Sequence, residues 1–338
     1  MKCVKIKNAK ELEVANIEKP ISKDGSVVLK VTSCGICGSD IHYYMSGEPK
    51  GLVMGHEFAG IVTDSGESNL KIGDRVTGLP ISPCLECDAC KTGNVQYCSK
   101  TWSDAVGLSL TRPGGYAEYT TCRADMIRKI PDNVSDDEAC MAEPSAVSLH
   151  AINLADVKVG DKVLIIGGGI IGLMAAEFAK LNGASLVTML EVNEQRGSQA
   201  VEFGKVDEYF NAMDENIVTT LLEKTNGGFD KVIECCGVSS AVTEAIMSVK
   251  AGGVIVLVGV SLNPVTIPTV ATVMKEVTMQ GAIAYTEKEF DNCIELISKK
   301  KINVDKYISA KVPLEDAQKS FERLTNGTDK AVKIIFKP

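Results

Sequence analysis

Cys84, Cys87, Cys90 and Cys98 are spaced C-x2-C-x2-C-x7-C in a turn-rich stretch that includes Pro83, Gly93 and Asn94. Thiolates at i, i+3 and i+6 of a loop can converge on one tetrahedral ion, with Cys98 closing the set. Four thiolates leave no open coordination position, which is the donor set of a structural zinc. Free thiols and an iron–sulfur cluster are the other chemistries four cysteines allow. Upstream, Cys34-Gly35-Ile36-Cys37-Gly38-Ser39-Asp40-Ile41-His42 contains a further C-x-x-C, and Gly55-His56-Glu57 follows. No βαβ pattern adjoins this motif, which argues against a thioredoxin-like redox pair. Cysteine, histidine and carboxylate together suit a zinc that keeps one position for water or substrate.

A different chemistry is written at Ile165-Ile166-Gly167-Gly168-Gly169-Ile170-Ile171-Gly172, which fits G-x-G-x-x-G between an apolar run and a helical one. Gly167 permits the tight turn, Gly169 lets backbone N–H groups approach a pyrophosphate, and Gly172 lets the helix pack on the sheet. The helix N-terminus adds its attraction for phosphate. Glu191 ends the next predicted strand, where an acid accepts hydrogen bonds from the adenosine ribose and repels a 2′-phosphate. NAD is therefore expected rather than NADP. Arg196 is the counter-signal, because a nearby guanidinium can accommodate that phosphate.

The elements that must position these groups change character near residue 150. Residues 1–130 hold β-branched runs broken by glycine, such as Val27-Val28-Leu29-Lys30-Val31 and Gly60-Ile61-Val62, and predict an irregular β-barrel. Nine of the 12 cysteines and all three histidines lie in residues 1–150, so the metal chemistry is concentrated there. From Lys162 strands alternate with helices. Strands are expected at 163–166, 186–190, 229–234 and 254–258, and helices at 170–181 and 195–203; this rhythm gives a doubly wound parallel sheet. Helices at 288–300 and 314–324 and a strand at 332–336 close the chain.

At 338 residues, with 45% hydrophobic and 24% charged residues, the composition suits two globular domains and excludes collagen-like, coiled-coil and disordered readings. A net charge of −8 repels phosphate backbones, so no nucleic-acid partner is expected. The N-terminal residues form no apolar leader, and the run 163–179 is interrupted by four glycines and Glu177. No membrane partner and a cytoplasmic location are expected.

Taken in order, Cys37 to His42, Gly55-His56-Glu57, the four-cysteine lobe, Gly114-Gly115-Tyr116-Ala117-Glu118-Tyr119 and the glycine turn resemble the zinc-dependent medium-chain alcohol dehydrogenases, and cover essentially the whole chain. Met141-Ala142-Glu143-Pro144-Ser145 places glutamate where liver-type members carry a cysteine, and His42-Tyr43-Tyr44 is similar to sorbitol dehydrogenase. Both point to the polyol and 2,3-butanediol dehydrogenase-like branch.

The resemblance implies a GroES-like β-barrel catalytic domain, residues 1–148 with 285–338 and a zinc lobe about 82–100, around a Rossmann domain at 149–284. It implies one catalytic and one structural zinc per subunit. Cys37, His56, Glu57 and Glu143 are the catalytic ligand candidates, with Asp40 orienting the histidine. The activity implied is reversible oxidation of a secondary alcohol to a ketone with NAD, zinc acting on the hydroxyl, Ser39 and His42 relaying the proton, and the nicotinamide taking the hydride. Tyr43, Glu143 and Tyr285 are expected at the substrate. Ile171 is expected at the pyrophosphate, with Lys333 a weaker match there, and Val258, Gly259 and Val260 near the nicotinamide. Ala284 stands where sorbitol dehydrogenases carry arginine, which favours a shorter diol or hydroxyketone over a long polyol. A dimer or tetramer is implied. Two other readings stay open: a reductase of conjugated carbonyl or iminium groups, and a non-catalytic NAD(H)-binding protein.

Overall fold

A computed structural model describes residues 1–23, 25–327 and 329–338. The chain divides into two compact units, Met1–Ala146 with Tyr285–Pro338, and Val147–Ala284. Among the described residues no helix is long and apolar enough to cross a membrane.

The contiguous unit is built on six parallel strands, Lys162–Ile166, Leu186–Glu191, Glu208–Asn211, Phe229–Glu234, Val249–Leu257 and Thr278–Gly281. Across the sheet they run third, second, first, fourth, fifth, sixth. That order reverses direction between the first and fourth strands, and sheets of this kind bind ligands at the carboxyl ends beside such a reversal. Val163, Leu164 and Ile165 of the first strand are wholly buried. A strand covered on both faces is written as an unbroken apolar run, which is why it is easy to read. The third and sixth strands were not expected from the sequence. Glu-Tyr-Phe-Asn and Thr-Met-Gln-Gly are short and only partly buried, so neither leaves a period-2 pattern. The second helix spans Glu194–Glu202, where the Asn193 side chain accepts from the Arg196 N–H at 3.0 Å.

The other unit wraps a seven-stranded sheet around the strand Ser26–Gly35. Glu57–Asp64, Tyr119–Arg123 and Lys333–Phe336 all pair with it antiparallel. The register sets Gly35 opposite both Glu57 and Ile335. The C-terminal strand is thereby brought beside the segment that follows His56, although the two are far apart in sequence. This is the GroES-like barrel.

Asp137, in the helix Asp136–Cys140, anchors that barrel. Its carboxylate accepts from Ser33 Oγ at 2.5 Å and Lys337 Nζ at 2.6 Å, and Lys311 Nζ lies 2.6 Å away. Burial opposes its charge, but the two lysines and the serine win and hold its pKa at about 2. A carboxylate more acidic in the folded than in the unfolded chain stabilises the fold above its ordinary pKa near 4 and loses that contribution as pH falls towards 2. Asp137→Asn is therefore expected to lower stability at pH 7 by about 1 kcal/mol, reduced from the full shift because the lysines are half exposed. Denaturant unfolding at pH 7 and pH 3 should show the difference shrinking at the lower pH.

Candidate active site

The helix Gly38–Ser46 begins directly after Cys37. Asp40, at its third position, accepts from the Cys37 N–H through Oδ2 at 2.9 Å and so fixes the helix start. Ser39 and His42 follow at i and i+3 on one face; His42 is exposed, whereas Ser39 Oγ is buried without a hydrogen-bond partner among the described residues. Asp40 is wholly buried and points inward, its Oδ1 standing 3.7 Å from the buried Nδ1 of His56. Those two atoms also lack hydrogen-bond partners among the described residues. Burial disfavours a charged His56 ring, but Cys37, Asp40 and Glu143 raise its proton affinity well above the ordinary range. The surroundings of the ring are strongly negative.

Glu143 lies in the first turn of the helix Ala142–Ala155, where a negative charge suits the helix dipole. Burial lifts its pKa to about 7, with His56 opposing the shift and Glu57 adding to it. Tyr285 Oη donates to Glu143 Oε1 at 2.9 Å, and its ring stacks on Phe290 with centroids 5.7 Å apart. Tyr285 is almost fully buried and its hydroxyl is committed to Glu143. Tyr43 is half-buried beside the exposed His42.

Glu57 is likewise committed. Both its oxygens accept from Lys333 Nζ, at 2.8 and 2.6 Å, and neither side chain has any solvent exposure. The same ammonium donates to the Ile36 carbonyl at 2.7 Å. Burial would strip the proton from Lys333, but Glu57 and Cys37 retain it. Glu57 is thus satisfied by a cation of the chain. Lys333, for its part, is enclosed in the barrel and not free to meet a pyrophosphate. The tight register explains the fit, since a Cβ on Gly35 would lie 2.1 Å from Glu57 Oε2.

Cys84, Cys87, Cys90 and Cys98 do converge, with all four sulfurs within 4.8 Å of one another. Backbone N–H groups of Cys84 and Lys100 point at Cys98 Sγ at 3.3 and 3.4 Å, and these donors lower its pKa to about 6. Four cysteine sulfurs brought together in this way fit a closed tetrahedral zinc.

In the parallel-sheet unit Gly167 turns with φ +105°, and a Cβ on Gly172 would lie 2.0 Å from the Gly167 carbonyl oxygen. The first glycine meets a conformational demand and the second a packing one. Glu191 is held by two backbone donors, Gly168 N–H on Oε2 at 2.6 Å and Asn193 N–H on Oε1 at 2.8 Å, so the carboxylate is fixed beside the glycine turn. Arg196 is half-buried, and its Nε has no partner among the described residues.

Glu234, which the sequence reading passed over, has a matching place at the end of the fourth strand. Its side chain accepts from the Cys236 and Gly237 N–H groups at 2.6 and 2.8 Å, and its backbone carbonyl accepts from Val258 and Gly259 at 2.8 and 3.0 Å. Its only sequence signal is its position at a strand end, like that of Glu191.

Two family models match the chain, the alcohol dehydrogenase GroES-like domain over residues 23–132 and the zinc-binding dehydrogenase over residues 171–299. The (R,R)-butanediol dehydrogenase of Bacillus subtilis is 32% identical, with 100% of both chains covered. The sorbitol dehydrogenase of Bombyx mori is 30% identical over 97% of this chain and 96% of the relative. The chain belongs to the zinc-dependent medium-chain alcohol dehydrogenases. It falls in their polyol and butanediol branch. A protein of Sinorhizobium meliloti 1021, described as a zinc-binding dehydrogenase and solved with NADP bound, superposes with a TM-score of 0.90 at 29% identity, covering 100% and 99% of the two chains. Zinc and a nicotinamide dinucleotide are thus the cofactors of this alcohol dehydrogenase family member.

If Glu57 serves Lys333 rather than a metal, Glu57→Gln should keep its full zinc content by elemental analysis. Lys333→Met, which leaves a carboxylate buried and unpaired, should lower stability by about 3 kcal/mol in denaturant unfolding. Adding Glu57→Gln to that variant should recover most of the loss.

Proposed function

We propose that this dehydrogenase oxidises a short secondary alcohol with an adjacent oxygen, a diol or hydroxyketone, using NAD and a zinc held by Cys37, His56 and Glu143. The observation that supports it most is that Asp40 Oδ1 and His56 Nδ1, both buried and unpartnered among the described residues, stand 3.7 Å apart, while Cys37 and Glu143 lie close enough to raise the proton affinity of the same ring. Buried polar groups are rarely left unpaired unless a ligand, ion or water completes them. One thiolate, one imidazole and one carboxylate fit a borderline cation with a position to spare.

When bound, zinc supplies Lewis acidity towards a hydroxyl, and NAD supplies a hydride acceptor. The residues of the chain do the rest. Asp40 Oδ1 faces His56 Nδ1 at 3.7 Å and would orient the ring through that nitrogen when the histidine binds metal. Ser39 Oγ takes the proton released by the alcohol, and His42, exposed one turn further along the helix, passes it to solvent. Tyr285 fixes the rotation of Glu143 through its hydroxyl. Glu191 accepts ribose hydroxyls with the lone pairs its two backbone donors leave free, which supports NAD over NADP. Alanine at position 284 offers no guanidinium for a long polyol, which supports the shorter substrate. The four-cysteine lobe holds a structural zinc.

A homo-oligomer in the cytoplasm completes the reading. Thr278–Gly281 is an edge strand, and the same unit exposes Leu262, Val270, Val273 and Met274. An unpaired edge beside an apolar patch suits a second copy of the chain.

The test is NADH formation by zinc-replete protein across vicinal diols, polyols and simple secondary alcohols, with NADP in parallel. Short diols with NAD are the expected preference. Cys37→Ser should lower turnover by at least a thousandfold while NADH still binds by fluorescence. Retained turnover would remove the zinc assignment, and preference for long polyols would remove the substrate one. For the assembly, light scattering should give a multiple of 36.1 kDa that falls towards one chain in Val270→Glu/Met274→Glu.

A further inference from the structure

Beside the metal site lies a tyrosine that the mechanism leaves unused. Tyr116 is wholly buried, and its ring stands edge-on to Phe336 at 4.8 Å and to Phe321 at 6.1 Å. Its hydroxyl donates to Asp40 Oδ2 at 2.6 Å, with the Gly35 carbonyl a longer alternative at 3.3 Å. The same Oδ2 accepts from the Cys37 N–H. Both directed donors therefore fall on one oxygen of Asp40, and the other, Oδ1, is left to face His56 Nδ1.

The backbone reinforces this aim. Tyr116 N–H donates to the Met54 carbonyl at 3.0 Å and Gly115 N–H to the Gly55 carbonyl at 2.7 Å, so the tyrosine segment runs alongside the residues that lead into His56. Gly55 has φ +99°, and a Cβ there would lie 2.5 Å from Tyr116 Cδ1. Only glycine lets the ring come this close to the histidine's own backbone.

We propose that Tyr116 is a positioning residue for the catalytic zinc, locking the rotation of Asp40 so that its one free oxygen orients His56. A buried carboxylate held by a single donor can turn about its terminal bond. Held by two donors on one oxygen, it has one orientation. The partners that orient a metal-bound histidine are commonly worth 10–100-fold in metal affinity. The proposal rests on the assignment of Cys37, His56 and Glu143 as zinc ligands.

Tyr116→Phe removes the hydroxyl and keeps the ring packing. The measurement is zinc release to a chromophoric chelator from protein loaded with two zincs per chain, with the four-cysteine site as the reference within the same molecule. Tyr116→Phe should release one zinc about 10-fold more readily and the other unchanged. With cobalt in place of zinc, the visible absorption of the mixed-ligand site should shift while that of the four-thiolate site stays put. In an Asp40→Asn background the same substitution should add nothing, because the hydroxyl acts only through that carboxylate. Unchanged release, additive effects in the double variant, or loss of both metals together would each overturn the proposal. Wild-type protein that holds a single zinc would overturn the ligand assignment instead, and so separates the two failures.

Discussion

A lysine and a glutamate, both removed from water, lie at the centre of the barrel, and the rest of the site depends on their pairing. Lys333 bonds both oxygens of Glu57 and the carbonyl of Ile36. Ile36 precedes Cys37, and Glu57 follows His56. One ammonium therefore ties together the two backbones that carry the thiolate and the imidazole. Either charge alone would be very costly in this interior, so the pair holds both segments to one register. The same enclosure makes the neighbouring polar atoms specific, because a low dielectric strengthens each satisfied contact and penalises each missing one.

The parallel-sheet unit solves its problem with carboxylates and backbone. Glu191 and Glu234 each end a strand, and each gathers N–H groups from the loops that follow the strands. The loops after these strands are thus shaped by acceptors of the chain itself. Glu234 joins the loops after two different strands through its side chain and its carbonyl, a role that single hydrogen bonds spread over several residues could not hold to the same geometry.

What could be read from the residues follows from how local each requirement is. The glycine turn was legible because Gly167 and Gly172 answer to demands made within eight residues, and the four cysteines because their ligand spacing is itself the message. Glu191 was legible because a strand end next to such a turn is a fixed address. The ion pair was not. Glu57 adjoins His56 in the sequence, but its ion-pair partner lies 276 residues away along the chain. Tyr116 and Asp40 are 76 residues apart, and Tyr285 and Glu143 142 apart. Such contacts are set by strand register, and composition carries no record of register. The two short strands at the sheet margins escaped notice for a related reason, since a half-covered strand of four residues has too few positions to show alternation.

The pairing of Lys333 with Glu57 also sets an order of events during synthesis. The unit from Val147 to Ala284 is contiguous, so it can close while the ribosome is still at work. The barrel cannot. Its first 146 residues emerge with Glu57 uncompensated, and the ammonium that neutralises it arrives only when the strand from Lys333 to Phe336 is made. The half that carries Glu57, although translated first, is the last to be completed.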